Sequence, residues 1–399
     1  MSVLIFLGVL FVLVLVHELG HFMTAKWMGM RVDEFGIGFP PKIFGIKRGE
    51  TLYSFNIFPI GGFVKIFGED GVGDPSARLS ENISEQGERN SPLSGQSRYG
   101  KDGTSHDKTD TATSSISGSF TSKSKWAQSL VLLAGITMNI LFAWLLIAIA
   151  FGIGVDSSVS EKDASSEARL TITSVLPDSP AGKAELLPGV VIKGVQSNED
   201  SLESFTPSGF SAFVESHKDS PLTILYTHKG EPRMVQLNSE AGIITDSPER
   251  HAIGVALAQV DTVQRSFGES VTDSFMYTVS SLEGIALGLG SLLYDTVRFD
   301  ADFSQLAGPV GIVGLVGEAS AYGITALLMF TAFISLNLAV INVLPFPALD
   351  GGRLLFVIIE AIKGSPLNER YVATLNTAGF FLLIALMVAV TWNDIARLI

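Results

Sequence analysis

Cysteine is absent from the 399-residue chain, which excludes structural disulfides and thiolate metal sites, so any bound metal must be held by histidine and carboxylate. Histidine is scarce too. Of the six in the chain, His106, His217, His228 and His251 lie in polar stretches, and only His17 and His21 sit in an apolar one. Basic residues are outnumbered, 27 Lys and Arg against 40 Asp and Glu, for a formal charge of -13. With no basic, aromatic-laced surface pattern, nucleic acid is excluded as a partner. Charge is missing altogether from residues 3–16, 126–155, 319–349 and 371–393. Such long uncharged apolar runs exclude a soluble globule and imply a lipid bilayer as the surroundings.

What is present stands out against this background. His17-Glu18-Leu19-Gly20-His21 follows directly on the apolar run Val3 to Val16. On a helix the two histidines are one turn apart, so both imidazoles share a face and can grip one metal ion with Glu18 beside them. Ionisable groups inside a lipid-facing helix cost roughly 2.5 to 3.5 kcal/mol each on insertion scales, and a bound metal would offset that cost. The first run has no basic start and no small-residue cleavage pattern, and it leads into His and Glu, so it reads as a retained span rather than a cleaved signal.

Between Val32 and Phe67 the apolar and aromatic residues Phe35, Ile37, Phe39, Tyr53, Phe55, Ile57, Phe58, Ile60 and Phe63 are interleaved with Gly and Pro. This predicts strand-like hairpins at the membrane interface, turning near Lys47-Arg48-Gly49-Glu50. The next stretch is crowded with Ser, Gly, Thr, Asp and Lys and has too little apolar surface to offset its ordering entropy, which predicts a disordered insertion. Asn139, inside the second apolar run, needs a partner there, either a neighbouring helix or a substrate. Short β-like runs follow at Leu170 to Val175, Val190 to Val195, Leu222 to Tyr226 and Met234 to Leu237. From Val271 to Val297, apolar residues recur at three- and four-residue spacing and are interrupted by Asp273, Glu283 and Asp295, which predicts an amphipathic surface helix. Pro345 and Pro347 must break the third span, and Asp350-Gly351-Gly352 follows the break.

Thirteen of the 27 Lys and Arg lie between Lys26 and Lys125. By the positive-inside rule that loop is cytoplasmic. With four spans, the first and third then run in parallel, so His17, His21 and Asp350 reach similar depth. Two imidazoles, a carboxylate and an open position are the donor set of a catalytic zinc site.

The segment Val175-Leu176-Pro177-Asp178-Ser179-Pro180-Ala181 with Leu187-Pro188-Gly189-Val190-Val191-Ile192 resembles the core signature of a PDZ domain, although Val190 stands where an Asp is usual. Such domains bind peptides or free C-termini by strand addition. His17 to His21, together with Asn342-Val343-Leu344-Pro345-Phe346-Pro347-Ala348-Leu349-Asp350-Gly351, resembles the two signatures of the site-2 protease family, in particular its PDZ-bearing branch of bacterial regulators of sigma-E. The likeness covers nearly the whole chain except the polar insertion, with Ile136 standing where a Pro is usual.

The resemblance implies an intramembrane zinc metalloprotease of the bacterial inner, cytoplasmic membrane. Its substrates would be single-span membrane proteins of the anti-sigma-factor kind, already shortened by another protease. His17, His21 and Asp350 would bind Zn2+ and Glu18 would activate water. Asn342 matches a substrate-contacting Asn, and Asn337 is a second candidate. The competing reading is a non-proteolytic, membrane-tethered PDZ scaffold with a structural metal site.

The fold expected is therefore a polytopic α-helical membrane protein with four spans, a membrane-associated β-hairpin region and one extracytoplasmic PDZ-like β-rich domain. The expected order is a first transmembrane helix with the zinc motif (1–30), the β region (31–68), the disordered cytoplasmic insertion (69–125) and a second transmembrane helix (126–155). The PDZ-like domain (156–262) and an amphipathic helix with a Gly-rich connector (263–318) come next. A third transmembrane helix (319–349), the Asp350 segment with a short amphipathic helix (350–370) and a fourth transmembrane helix (371–399) complete it. The N-terminus would be extracytoplasmic.

Overall fold

The computed structural model describes residues 1–69, 118–228, 230–243, 247, 249–298, 300 and 307–396. Most of the insertion expected at 69–125, with His106, lies outside the described residues. The chain forms two compact units, one of residues 1–148 with 272–399 and one of residues 149–271.

In the first unit, α1 (Ser2–Trp27) leads into the paired strands β1 (Val32–Arg48) and β2 (Thr51–Ile66). The pairing is doubled. Phe35 faces both Val64 and Tyr53, and Ile37 faces both Gly62 and Phe55, so β2 curls until its two ends flank the start of β1. Residues 62–66 thereby become an outer strand. The curl needs residues without a side chain at its bends, as at Gly61, where φ is +112°. Away from α1 the hairpin presents Phe39, Ile43, Phe44, Ile46, Ile57 and Phe58 outward, all about half exposed.

The remaining helices are α2 (Lys125–Ile153), α5 (Phe267–Val297), α6 (Pro309–Ala321), α7 (Ile324–Val343), α8 (Asp350–Lys363) and α9 (Glu369–Ala396). Among the described residues, five helices are long and apolar enough to cross a membrane: α1, α2, α5, α7 and α9. The fifth candidate, α5, arises because Asp273, Glu283 and Asp295 are spaced widely enough to leave a long stretch with one charge. The run expected as one helix over 319–349 is instead split, because Gly323 takes φ +109° between α6 and α7. Ala25, Met30, Val32, Ile66, Phe120, Val131, Leu132 and Val357 form one buried cluster, fastening the ends of α1 and β2 to the start of α2 and to α8.

The second unit is β-rich. Its antiparallel sheet has the order β3-β9-β4-β5-β7-β8, with β6 paired to β5. The strands are β3 (Val155–Val159), β4 (Arg169–Val175), β5 (Val191–Ser197), β6 (Asp200–Ser201), β7 (Leu222–His228), β8 (Glu231–Leu237) and β9 (Val255–Val263). Leu170 with Ile172 and Leu222 with Ile224 alternate inward, as the period of a half-buried strand requires, while an irregularity between Ile192 and Gly194 lets both Ile192 and Val195 of β5 point into the same core. Two short helices, α3 (Pro180–Lys183) and α4 (Pro207–Ser216), start at Ser179 and Thr206, whose side-chain oxygens accept from the Gly182 and Gly209 N–H groups.

Candidate active site

α1 is apolar for most of its length, and His17, Glu18 and His21 fall together within about one turn of it. His17 and His21 are largely shielded there, and Glu18 is half-buried. α2 crosses this turn at close range because both helices have glycine at the contact. A Cβ on Gly20 would lie 2.5 Å from the Ala134 carbonyl oxygen, and one on Gly135 would lie 2.3 Å from His21 Nε2 and 2.8 Å from His17 Cε1.

α2 also supplies partners for the imidazoles. His21 Nδ1 lies 2.8 Å from the Val131 carbonyl oxygen and donates to it, which leaves Nε2 as a lone pair. Asn139, only 1% exposed, brings its side-chain amide to 3.2 Å from His17 Nδ1. The buried Ser335 of α7 donates to the Asn139 carbonyl oxygen at 2.8 Å and so ties a third helix to the same point.

Asp350 arrives from the other end of the chain. Pro345 and Pro347 cannot continue α7, and Asp350 opens α8, where its negative charge suits the helix start. Gly351 and Gly352 let that first turn lie against the preceding backbone, since a Cβ on either would fall 2.3 Å or less from the Val343, Leu344 or Phe346 carbonyl oxygens.

As a result, Asp350 Oδ2 stands 3.0 Å from His17 Nε2 and 3.3 Å from His21 Nε2, and the two Nε2 atoms are 3.1 Å apart. Asp350 Oδ2 is buried and has no hydrogen-bond partner. Three electron-rich atoms facing one another need a cation between them. The donors of a tetrahedral zinc site with bonds of about 2.0 to 2.1 Å lie about 3.3 Å apart, so this set fits that ion.

A cavity of about 370 Å³ opens on the three residues, lined also by Glu18, residues 63–66 of β2, Glu69 and Arg353. Arg353, one turn along α8 from Asp350, pairs with Glu69 just past β2. Val64 of the outer strand lines the same cavity as Glu18, and a Cβ on Gly62 would lie 3.4 Å from Glu18 Cγ.

The structure therefore brings His17, Glu18, His21 and Asp350 to one cavity. It does not bring Asn342 or Asn337 among the residues lining it. Asn342 and Asn337 are both half-buried on α7, and Asn337 donates to the Phe333 carbonyl oxygen of its own helix. The sequence shows Asn139 as polar within a span without naming its partner, and it gives no sign of Val131 or of the Arg353–Glu69 pair.

Among known proteins, the chain is similar to the zinc metalloprotease RasP of Oceanobacillus iheyensis, with 30% identity covering 100% of this chain and 99% of that one. The zinc metalloprotease RasP of Geobacillus kaustophilus is also 30% identical, covering 99% and 98%. The regulator of sigma-W protease RasP of Bacillus subtilis is 28% identical, covering 100% and 99%. A solved PDZ domain of the SdrC-like protein from Listeria monocytogenes matches at 20% identity and TM-score 0.20, covering 23% of this chain and 90% of that one. The model of peptidase family M50 matches residues 5–386, and the chain belongs to that family.

Proposed function

We propose that the protein is an intramembrane zinc endopeptidase that hydrolyses a peptide bond in single-span membrane proteins. The observation that carries this reading is the convergence of His17, His21 and Asp350 within 4.8 Å beside Glu18, on an apolar helix. His17 Nε2, His21 Nε2 and an Asp350 oxygen would hold the ion. Zinc bound there supplies Lewis-acid polarisation of a carbonyl and a water acidic enough to lose its proton near neutral pH. Glu18 takes that proton and delivers it to the leaving amide nitrogen.

A helical substrate hides its carbonyls in its own hydrogen bonds, so it must be extended before it can be cut. The outer strand 62–66 borders the cavity and offers a backbone edge on which an extended segment can pair. The half-exposed apolar residues at the hairpin tip suit membrane association.

Four spans are favoured over five by a parity argument. Asp350 follows the end of α7 and touches the late part of α1, so the two helices run in the same direction. This requires an odd number of crossings between them, and α2 alone meets it without α5. The basic loop after α1 then lies in the cytoplasm, and the N-terminus and the β-rich unit lie outside the bacterial cytoplasmic membrane.

The β-rich unit is read as PDZ-like. Its groove between α4 and the start of β9, lined by Leu176, Phe210, Val214, Ile253 and Leu257, suits an apolar peptide end. The name of the Bacillus relative as a regulator of sigma-W supports anti-sigma-factor-like substrates here. Family membership gives no support to the scaffold alternative.

The test is purified protein with a tagged single-span substrate. Zinc-dependent cleavage that disappears with Glu18→Gln is expected. Cleavage that persists in that variant would remove Glu18 from its role.

A further inference from the structure

Asn139 poses a chemical contradiction whose resolution assigns it a role. If His17 Nε2 binds a metal, the neutral imidazole carries its hydrogen on Nδ1. The Asn139 Nδ2 amide then meets that N–H at 3.2 Å, donor against donor, while Asn139 Oδ1 is buried and accepts no hydrogen bond. A half-turn of the amide exchanges Oδ1 and Nδ2, which nearly superimpose, and removes both faults together.

We propose that Asn139 is a positioning residue whose Oδ1 accepts the His17 Nδ1–H, fixing the tautomer and ring plane that aim Nε2 at the metal. This rests on the reading of His17 as a ligand. It goes beyond that reading in making one helix, α2, the template for both histidines. Val131, Gly135 and Asn139 are spaced four residues apart on α2 and so share one face. The Val131 carbonyl orients His21, the missing side chain of Gly135 makes room for both rings, and Asn139 orients His17. Ser335 holds the Asn139 backbone from α7, the helix that leads into Asp350. All three ligands are thus referred to one face of α2. Acceptors on the remote nitrogen of a ligating histidine fix its tautomer and raise its basicity, and their loss typically lowers metal affinity about 10- to 100-fold.

The experiment uses the full-length protein in detergent, with zinc affinity measured by competition against a chromogenic chelator and the His17 tautomer read from imidazole 15N shifts of the zinc-loaded protein. Asn139→Leu keeps the branched skeleton but removes the acceptor, and should weaken zinc binding by about 10- to 100-fold. Asn139→Asp can accept but lacks the amide donor, and should restore affinity close to wild type with His17 protonated on Nδ1. The proposal is overturned if Asn139→Asp binds zinc as weakly as Asn139→Leu, because the amide would then act as a donor or as packing. It is also overturned if Asn139→Leu binds like wild type. His17→Ala separates the two readings: undiminished zinc binding in that variant would sink the ligand assignment itself.

Discussion

His17 Nε2 and Asp350 Oδ2 stand 3.0 Å apart, although one lies in the first helix of the chain and the other just past α7. Neither is fully solvated, and the Asp350 oxygen has no hydrogen-bond partner. The pair therefore has a physical reason to exist only with a cation between them. Asp350→Ala should bring zinc stoichiometry in the purified protein towards zero, and chelation of the wild type should stop cleavage reversibly. Glu18→Gln should differ in kind, keeping zinc while cleavage falls by about 10²- to 10⁴-fold. Metal analysis alongside a cleavage assay distinguishes these outcomes. Full zinc in Asp350→Ala would remove the third ligand.

Gly135 is where helix packing and site chemistry meet. A methyl group there would sit 2.3 Å from His21 Nε2, so either the ring turns or α2 withdraws. Overpacking of this kind costs about 1 to 3 kcal/mol. Gly135→Ala should lower both thermal stability and zinc affinity. Gly314→Ala, with nothing within 4 Å of the added carbon, should change neither. Equal behaviour of the two variants in melting and zinc titration would mean that α2 does not fix the histidines.

The readable part of the site was the part that lipid makes expensive. His17, Glu18, His21 and Asp350 are residues an apolar helix or its end retains only for a reason, and two prolines mark where α7 stops. Asn139 was visible for the same reason, but one polar residue in a span does not reveal which helix it faces. Asn342 and Asn337 follow from family likeness rather than from their own chemistry, and neither lines the cavity. The doubled pairing of β1 was illegible, because period-2 alternation says which face is apolar but not that a strand curls back to flank its partner twice. The division into α6 and α7 turned on the backbone of a single glycine, Gly323, inside an uncharged run. In the β-rich unit, β3 was missed because Val155–Val159 is short and polar at its centre, and α4 because Pro207–Ser216 is short and opens on Pro and Gly, which read as a loop.

The outer strand should matter to cleavage but not to zinc. Val64 lines the cavity beside Glu18 on that strand, and each backbone hydrogen bond that an extended segment makes along the edge contributes about 0.5 to 1.5 kcal/mol. Val64→Pro removes one backbone donor from the strand and disturbs the edge beside it. Cleavage should fall about 2- to 10-fold for each bond lost, the corresponding factor in an equilibrium constant, while zinc stoichiometry stays at the wild-type value. Measuring both on one preparation is decisive, since equal loss of zinc would mean that the strand supports the metal site rather than the substrate.

The absence of cysteine makes topology directly measurable, because each introduced thiol is the sole one in the chain. Ser201 in β6 and Tyr322 just after α6 are exposed positions on either side of α5, and Glu50 lies in the turn between β1 and β2. If α5 does not cross the membrane, Ser201→Cys and Tyr322→Cys should both react with an impermeant maleimide from outside intact cells, and Glu50→Cys should react only after permeabilisation. If α5 does cross, Tyr322→Cys should behave like Glu50→Cys instead. That second pattern would make α1 and α7 antiparallel, at odds with the 3.0 Å approach of Asp350 to His17 near the ends of both helices, so the labelling tests the span count and the geometry of the site together.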